Sequence, residues 1–253
     1  MRKVLLLGIS GAGKSTLAHQ LRQYCERRAA TAVQFASQAD ADEAVIALCM
    51  ALHPRLGAES PLNKLPIEIL LRLRALVSPP PLPQLPSTSG IIQSRLRLPY
   101  AARSLDLLDV GGQRNQRRKW VHTFDQVDVV VFVVPASDFD QVLVEDGSTN
   151  RMAEALSLWE QIANHASFKE SRFLLLLNKR DLLPSKLAKA GHMGAWDPSA
   201  VPLGANVGQC LKFVEERFLS KVRRSPRRCC TLAACASDTR FVDALIDCLD
   251  FRF

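Results

Sequence analysis

The nine residues Gly8-Ile-Ser-Gly-Ala-Gly-Lys-Ser-Thr16 constrain this chain more than any other stretch. They fit the pattern G-x-x-x-x-G-K-[S/T], whose meaning depends on a strand before it and a helix after it. Both are present, since apolar Val4–Leu7 precedes the loop and a helical pattern runs from Lys14. Glycines in such a loop let backbone N–H groups turn inward and cradle phosphate oxygens at the positive end of the helix. Gly8, Ser10, Gly11, Ala12, Gly13, Lys14, Ser15 and Thr16 are therefore expected to grip a phosphate tail. Lys14 would reach the β- and γ-phosphates, and the Ser15 hydroxyl would be a ligand for Mg2+.

A loop of this kind needs an α/β frame, and the rest of the chain supplies one. Short apolar runs alternate with helical stretches, which predicts a mostly parallel sheet. Strands are expected at Lys3–Gly8, Ile91–Leu98, Ser104–Val110, Asp128–Val134, Phe173–Asn178 and Arg228–Ala233. Helices are expected at Lys14–Glu26, Asn150–Asn164, Asn206–Leu219 and Thr239–Leu249. Residues 27–86 break the rhythm. One helix there would carry Val45, Leu48, Cys49 and Leu52 on one face, and another would start near Pro66. The run Ser78–Pro86 cannot continue a helix and reads as extended, either a stiff linker or a ligand for an SH3-type domain.

With 253 residues, 47% of them hydrophobic and 23% charged, the chain is not a wholly disordered one. No apolar run approaches the ~20 residues of a membrane helix, so no transmembrane segment is expected. Arg2 at the second position excludes N-myristoylation. The seven cysteines form no C-x-x-C pair and read as reduced thiols of a cytoplasmic protein. The net charge of +8 is spread out, and clusters such as Arg114–Lys119 are more commonly solvated faces than nucleic-acid sites, so no nucleic-acid partner is expected. The five histidines show no metal-ligand spacing.

Two further motifs complete the chemistry. In Asp109-Val-Gly-Gly-Gln-Arg114, at a strand end, Asp109 can hold the metal through water. Gly112 can sense a γ-phosphate and Gln113 can orient an attacking water. In Asn178-Lys-Arg-Asp181, the Asp181 carboxylate can accept two hydrogen bonds from guanine, a donor pair adenine lacks. The turn Cys235-Ala-Ser-Asp-Thr239 after the last strand is by itself only a small-residue turn.

Long strings around these motifs resemble the α subunits of heterotrimeric G proteins more closely than small Ras-like GTPases. They are Leu108-Asp-Val-Gly-Gly-Gln-Arg-Asn-Gln-Arg-Arg-Lys-Trp-Val-His122, Ser137–Met152, Leu177-Asn-Lys-Arg-Asp-Leu182 and Cys235–Thr239. The resemblance implies a P-loop NTPase, Ras-like domain at 1–26 and 87–253. Its six-stranded sheet would carry helices on both faces, and 27–86 would form a small all-α insert. It also implies a GTPase in receptor-coupled signalling, with GTP or GDP and Mg2+ bound. Ser87–Gly90 resembles the first switch, with Thr88 a Mg2+ ligand beside Ser15 and water-linked Asp109. Gln113 and Lys14 would be catalytic. Asn178, Lys179 and Asp181 would read guanine, with the Ala236 N–H meeting the guanine O6. Val144–Asn150 resembles the third switch, specific to α subunits. Partners implied are the βγ dimer, receptors and effectors, and through them a peripheral place at the inner face of the plasma membrane.

Four departures from that family shape the expectation. Leu85 stands where the family carries an arginine acting in cis on the transition state, an effect of roughly 10³–10⁵-fold, so hydrolysis is expected to be slow. The insert is short, which predicts an exposed nucleotide and fast GDP release. The chain begins at the first strand, without the family's N-terminal helix. Its C-terminal helix looks truncated. The alternative is a GTP-binding decoy or scaffold that hardly hydrolyses. A P-loop kinase or ATPase is argued against by Asn178–Asp181.

Overall fold

The computed structural model describes residues 1–35, 88–98, 104–190, 193–197, 199, 204–223, 229–236, 238 and 241–250. The two helices expected at Val45–Leu52 and from Pro66, the proline run Ser78–Pro86 and Leu85 lie outside them. By internal contacts the chain divides into two units, Met1–Arg22 with Gln84–Phe253, and Gln23–Pro83.

The first unit is built on a six-stranded sheet in the order β2-β3-β1-β4-β5-β6. The strands are β1 Arg2–Leu7, β2 Ile91–Arg97, β3 Ser104–Val110, β4 Val129–Pro135, β5 Arg172–Asn178 and β6 Cys229–Ala233. β2 pairs antiparallel with β3, and every other pairing is parallel. Parallel interior strands need apolar residues on both faces, and all seven residues of β4 are buried. β2 occupies an edge, and it carries exposed Arg95 and Arg97, charges that discourage edge-to-edge pairing.

The helices are α1 Lys14–Phe35, α2 Arg114–Arg117, α3 Arg151–Ala163, α4 Leu183–Ala190, α5 Val207–Leu219 and α6 Val242–Asp250. α3 and α5 begin where the sequence offers caps. The Asn150 side chain accepts from the Met152 and Ala153 amides, and Asn206 forms a capping box with Gln209. α1 runs past the expected end at Glu26, because Arg27-Arg-Ala-Ala holds strong helix formers and no breaker. α4 is an addition to the expected elements. Its Pro184 falls in the first turn, where the missing N–H costs nothing.

Trp159 of α3 is fully buried against Phe132, Phe173 and Phe218, and its Nε1 donates to the Phe218 carbonyl at 2.7 Å. It is core, as its spacing with Leu156 and Ile162 suggests. Arg2 Nη1 donates to the Leu249 carbonyl at 2.8 Å and pins the last helix to the first strand. Among the described residues no helix is long and apolar enough to cross a membrane.

After β1 the chain adds β2 and β3 on one side of β1, and β4, β5 and β6 then follow on the other. Such a reversal opens a crevice at the C-terminal ends of the strands. Leu6 lies beside Asp109 of β3 and Val131 of β4, so Gly8 and the residues after Asp109 emerge together at that crevice.

Candidate nucleotide site

The loop after β1 closes on its own lysine. Lys14, the first residue of α1, is buried, and its Nζ donates to the Gly8 carbonyl at 3.1 Å and the Ile9 carbonyl at 2.9 Å. Burial pushes the Lys14 ammonium down from 10.5 to about 8. The Asp109 carboxylate opposes this, while the Arg117 and Arg151 charges add to it. Gly13 has φ +101°, and a Cβ there would collide with Asn178 Nδ2, so no other residue fits. Gly112 is fixed by close approach: a Cβ would strike Lys14 Nζ and lie 2.7 Å from the Gly8 carbonyl oxygen.

Beside the lysine, three expected metal ligands meet. Thr88 Oγ1 donates to Asp109 Oδ2 at 2.8 Å. With that proton committed, Ser15 Oγ is the donor in its 2.5 Å contact with Thr88 Oγ1. Asp109 is 1% exposed, and its buried Oδ1 has no hydrogen-bond partner among the described residues. A buried carboxylate oxygen without a partner is costly, and a small hard cation would satisfy it. Two hydroxyls and one carboxylate suit Mg2+, which binds through few protein oxygens and completes its shell with water and phosphate. Among the described residues no group of three or more His, Cys, Asp or Glu side chains could hold a metal ion, so the hydroxyls are essential to this fit.

At the far end, buried Asn178 joins two loops. Its Nδ2 donates to the Ala12 carbonyl at 2.7 Å, and its Oδ1 accepts from the Ala236 amide at 2.8 Å. Lys179 adopts the left-handed conformation, φ 63° and ψ 30°, uncommon for a non-glycine residue. Its Nζ donates to Asp138 Oδ2 at 2.9 Å. Asp181 lies in a single turn of 3-10 helix, Arg180–Leu182, and is exposed.

These groups surround a cavity of about 310 Å3. Ser10, Gly11, Gly13, Lys14, Ser15 and Thr16 line one end with Thr88 and Gly112. Asn178, Lys179, Asp181 and Ala236 line the other. Gly8, Ala12 and Asp109 lie off the lining and accept hydrogen bonds from lining residues Lys14, Asn178 and Thr88. Gln113 is not brought in: it is exposed, starts α2 with φ −64° and ψ 147°, and lies off the cavity lining.

Sequence reasoning assigned no role to several residues that tie this region together. Buried Asp138 accepts from both Lys179 and Arg151. The segment after Asp109, expected as the second switch, is clamped by Arg114, which pairs with Asp146 at 2.6 Å and Glu154 at 2.8 Å, and by Arg117, which pairs with Glu154 at 2.6 Å. Bonds from the Thr149 hydroxyl, then from the Thr149 and Ser148 amides and from Arg114, hold the Asp146 carboxyl well below the usual carboxylate range. Trp120 is buried, and its Nε1 donates to the Gly111 carbonyl at 2.9 Å. Gly111 N donates in turn to the Gly90 carbonyl at 2.9 Å, so the segment after Thr88 is tied to the one after Asp109. A signal was available for Asp138: an acidic residue just past a wholly apolar strand lies at the crevice.

A family model described as the G-protein alpha subunit matches residues 84–250. The chain is 41% identical over 152 residues to the guanine nucleotide-binding protein alpha-4 subunit of Dictyostelium discoideum, covering 60% of this chain and 43% of that protein. It is 38% identical over 160 residues to the alpha-8 subunit of Caenorhabditis elegans, covering 63% and 43%. Against the G(o) subunit alpha of Locusta migratoria it is 34% identical over 161 residues, covering 63% and 44%. The chain thus spans less than half the length of the curated relatives it matches. With a phosphate loop, a mostly parallel sheet and a family match over most of its length, the chain belongs to the G-protein alpha subunit family and has a P-loop GTPase fold.

Proposed function

We propose that this chain is a guanine-nucleotide-binding signalling switch that binds GTP and GDP with Mg2+ in the cavity and hydrolyses GTP to GDP and phosphate. One observation carries the reading: Asn178 holds the Ala12 and Ala236 backbones together, so the phosphate loop and the base-reading turn face one cavity. The names of its relatives, guanine nucleotide-binding proteins, support the same ligand.

Bound Mg2+, held by Ser15 and Thr88 and through water by Asp109, would neutralise charge on the β- and γ-phosphates. The remaining chemistry belongs to the chain. Lys14 and the loop amides bind the phosphate oxygens and stabilise the charge that develops on them. The Gly112 N–H is close enough to the loop to meet a γ-phosphate, and that contact would order Thr88 and the second switch. Asp181 selects guanine. Gln113 must move from its exposed position to orient water, and Leu85 supplies no arginine, so slow hydrolysis follows from both. The βγ dimer, receptors and effectors are proposed partners, and exposed Val121 in the second-switch region offers them an apolar contact. Residues 1–26 and 87–253 would form the GTPase domain, with 27–86 a reduced insert.

The exposed Gln113 also favours a second reading, a GTP-binding scaffold with negligible turnover. Fluorescent mant-GTP binding run beside phosphate release, with and without Mg2+, tests both. Binding with slow release of phosphate supports the switch. Binding without any release supports the scaffold, and no binding refutes both.

A further inference from the structure

Arg151 is the first residue of α3, directly after the loop Val144–Asn150. It is 7% exposed, so its charge is poorly screened by solvent. Its guanidinium is a fork with two targets. Nε donates to Asp138 Oδ2 at 2.9 Å, and Nη2 donates to the Ser10 carbonyl at 2.6 Å. Asp138, 1% exposed, is fixed from its other side by Lys179, two residues before Asp181. Gly11 makes room for the fork, since a Cβ there would lie 3.0 Å from Arg151 Nη2.

We infer that Arg151 is a positioning residue for nucleotide: braced on Asp138, it sets the phosphate loop by holding the Ser10 carbonyl. The inference rests on the guanine-nucleotide reading above. In a planar trans peptide the Ser10 carbonyl and the Gly11 N–H point in opposite directions. Holding the carbonyl on Arg151 therefore fixes where the Gly11 N–H points, and Ser10 and Gly11 both line the cavity. Through Asp138 the same guanidinium is tied to Lys179, so one buried carboxylate braces both ends of the cavity. Arg151 N also donates to the Gln141 carbonyl at 2.9 Å, which ties this brace to the segment leading into the third-switch loop. The geometry requires arginine. A lysine ammonium is a single point charge that can bind Asp138 or reach Ser10 but cannot span both in a planar fork.

A buried ion pair that merely stabilises the fold would look similar, so the test uses readouts that a general structural role would not separate. In Arg151→Lys and Arg151→Gln variants of the full chain, Asp138 keeps Lys179 as its counter-ion. Mant-GDP should dissociate roughly tenfold faster or more from both, the effect of losing a charge-assisted hydrogen bond. The affinity ratio of GDP to inosine diphosphate, which reports base reading by Asp181, should stay at the wild-type value. The nucleotide-free melting temperature of Arg151→Lys should stay within about 2 °C of wild type. Unchanged dissociation in both variants overturns the inference, as does a ratio that collapses together with the melting temperature. If wild-type protein binds no GDP at all, the functional reading fails first and takes this inference with it.

Discussion

Lys14 gives the account a quantitative handle. Its ammonium is buried and held to about 8, against an ordinary 10.5. That difference corresponds to roughly 3 kcal/mol of penalty on the charged form. A phosphate tail placed against it would restore the charge, so binding must take up protons. A larger share of the lysines is therefore neutral at pH 8.5 than at pH 7.5. GDP binding measured by calorimetry in buffers of different ionisation enthalpy should show proton uptake, by less than one proton per site, that rises between these two pH values. The terminal phosphate is already largely ionised over this range. Affinity should fall as pH rises through 8. The stability of the fold should behave oppositely, because its lysine pKa lies below the unfolded value. Between about 8 and 10.5 the unfolded chain binds more protons, and stability rises with pH. Uptake near zero at both pH values would refute the claim that Lys14 is a desolvated group whose charge a phosphate restores.

Three other outcomes follow. Leu85→Arg should accelerate single-turnover GTP hydrolysis at least 10³-fold, on the order of an arginine supplied in cis, and an unchanged rate would remove Leu85 as a cause of the proposed slow turnover. Asp181→Asn replaces a double acceptor by one donor and one acceptor, so GDP affinity should fall roughly 100-fold or more while xanthosine diphosphate, which offers a carbonyl at that position, gains. Equal affinity of the variant for GDP would argue against guanine reading at Asp181. Trp159→Ala empties the site between β4, β5 and α5 and should cost about 3–5 kcal/mol in urea unfolding. A loss under about 1 kcal/mol would contradict its place in the core.

Much of the frame was legible because it is local. The apolar runs of β1, β4 and β5 leave few alternatives to buried parallel strands, and Asn150 and Asn206 announce the starts of α3 and α5 through side-chain chemistry that acts within three residues. The end of α1 was less legible, because no residue between Glu26 and Phe35 stops a helix. α4 was missed because its eight residues carry a proline and too few apolar positions to show a stripe. The pattern Gly8–Thr16 and the motif Asn178–Asp181 were legible as motifs in adjacent residues, and both line one cavity. The braces were not. Asp138, Arg151, Lys179 and Ser10 are scattered through the sequence, and only the fold makes them neighbours. The clamp of Arg114 and Arg117 on Asp146 and Glu154 is equally nonlocal. The exposed position of Gln113 follows from the extended backbone that leads into α2, which its residue type does not encode.

The central claim is that one cavity selects guanine at Asp181 and grips phosphate at Lys14. Calorimetric titration of the purified chain with GDP, repeated in the presence of excess ADP, tests it most directly. The account predicts one GDP per chain with an isotherm that ADP leaves unchanged. An absence of binding heat, or displacement of GDP by ADP, would contradict it.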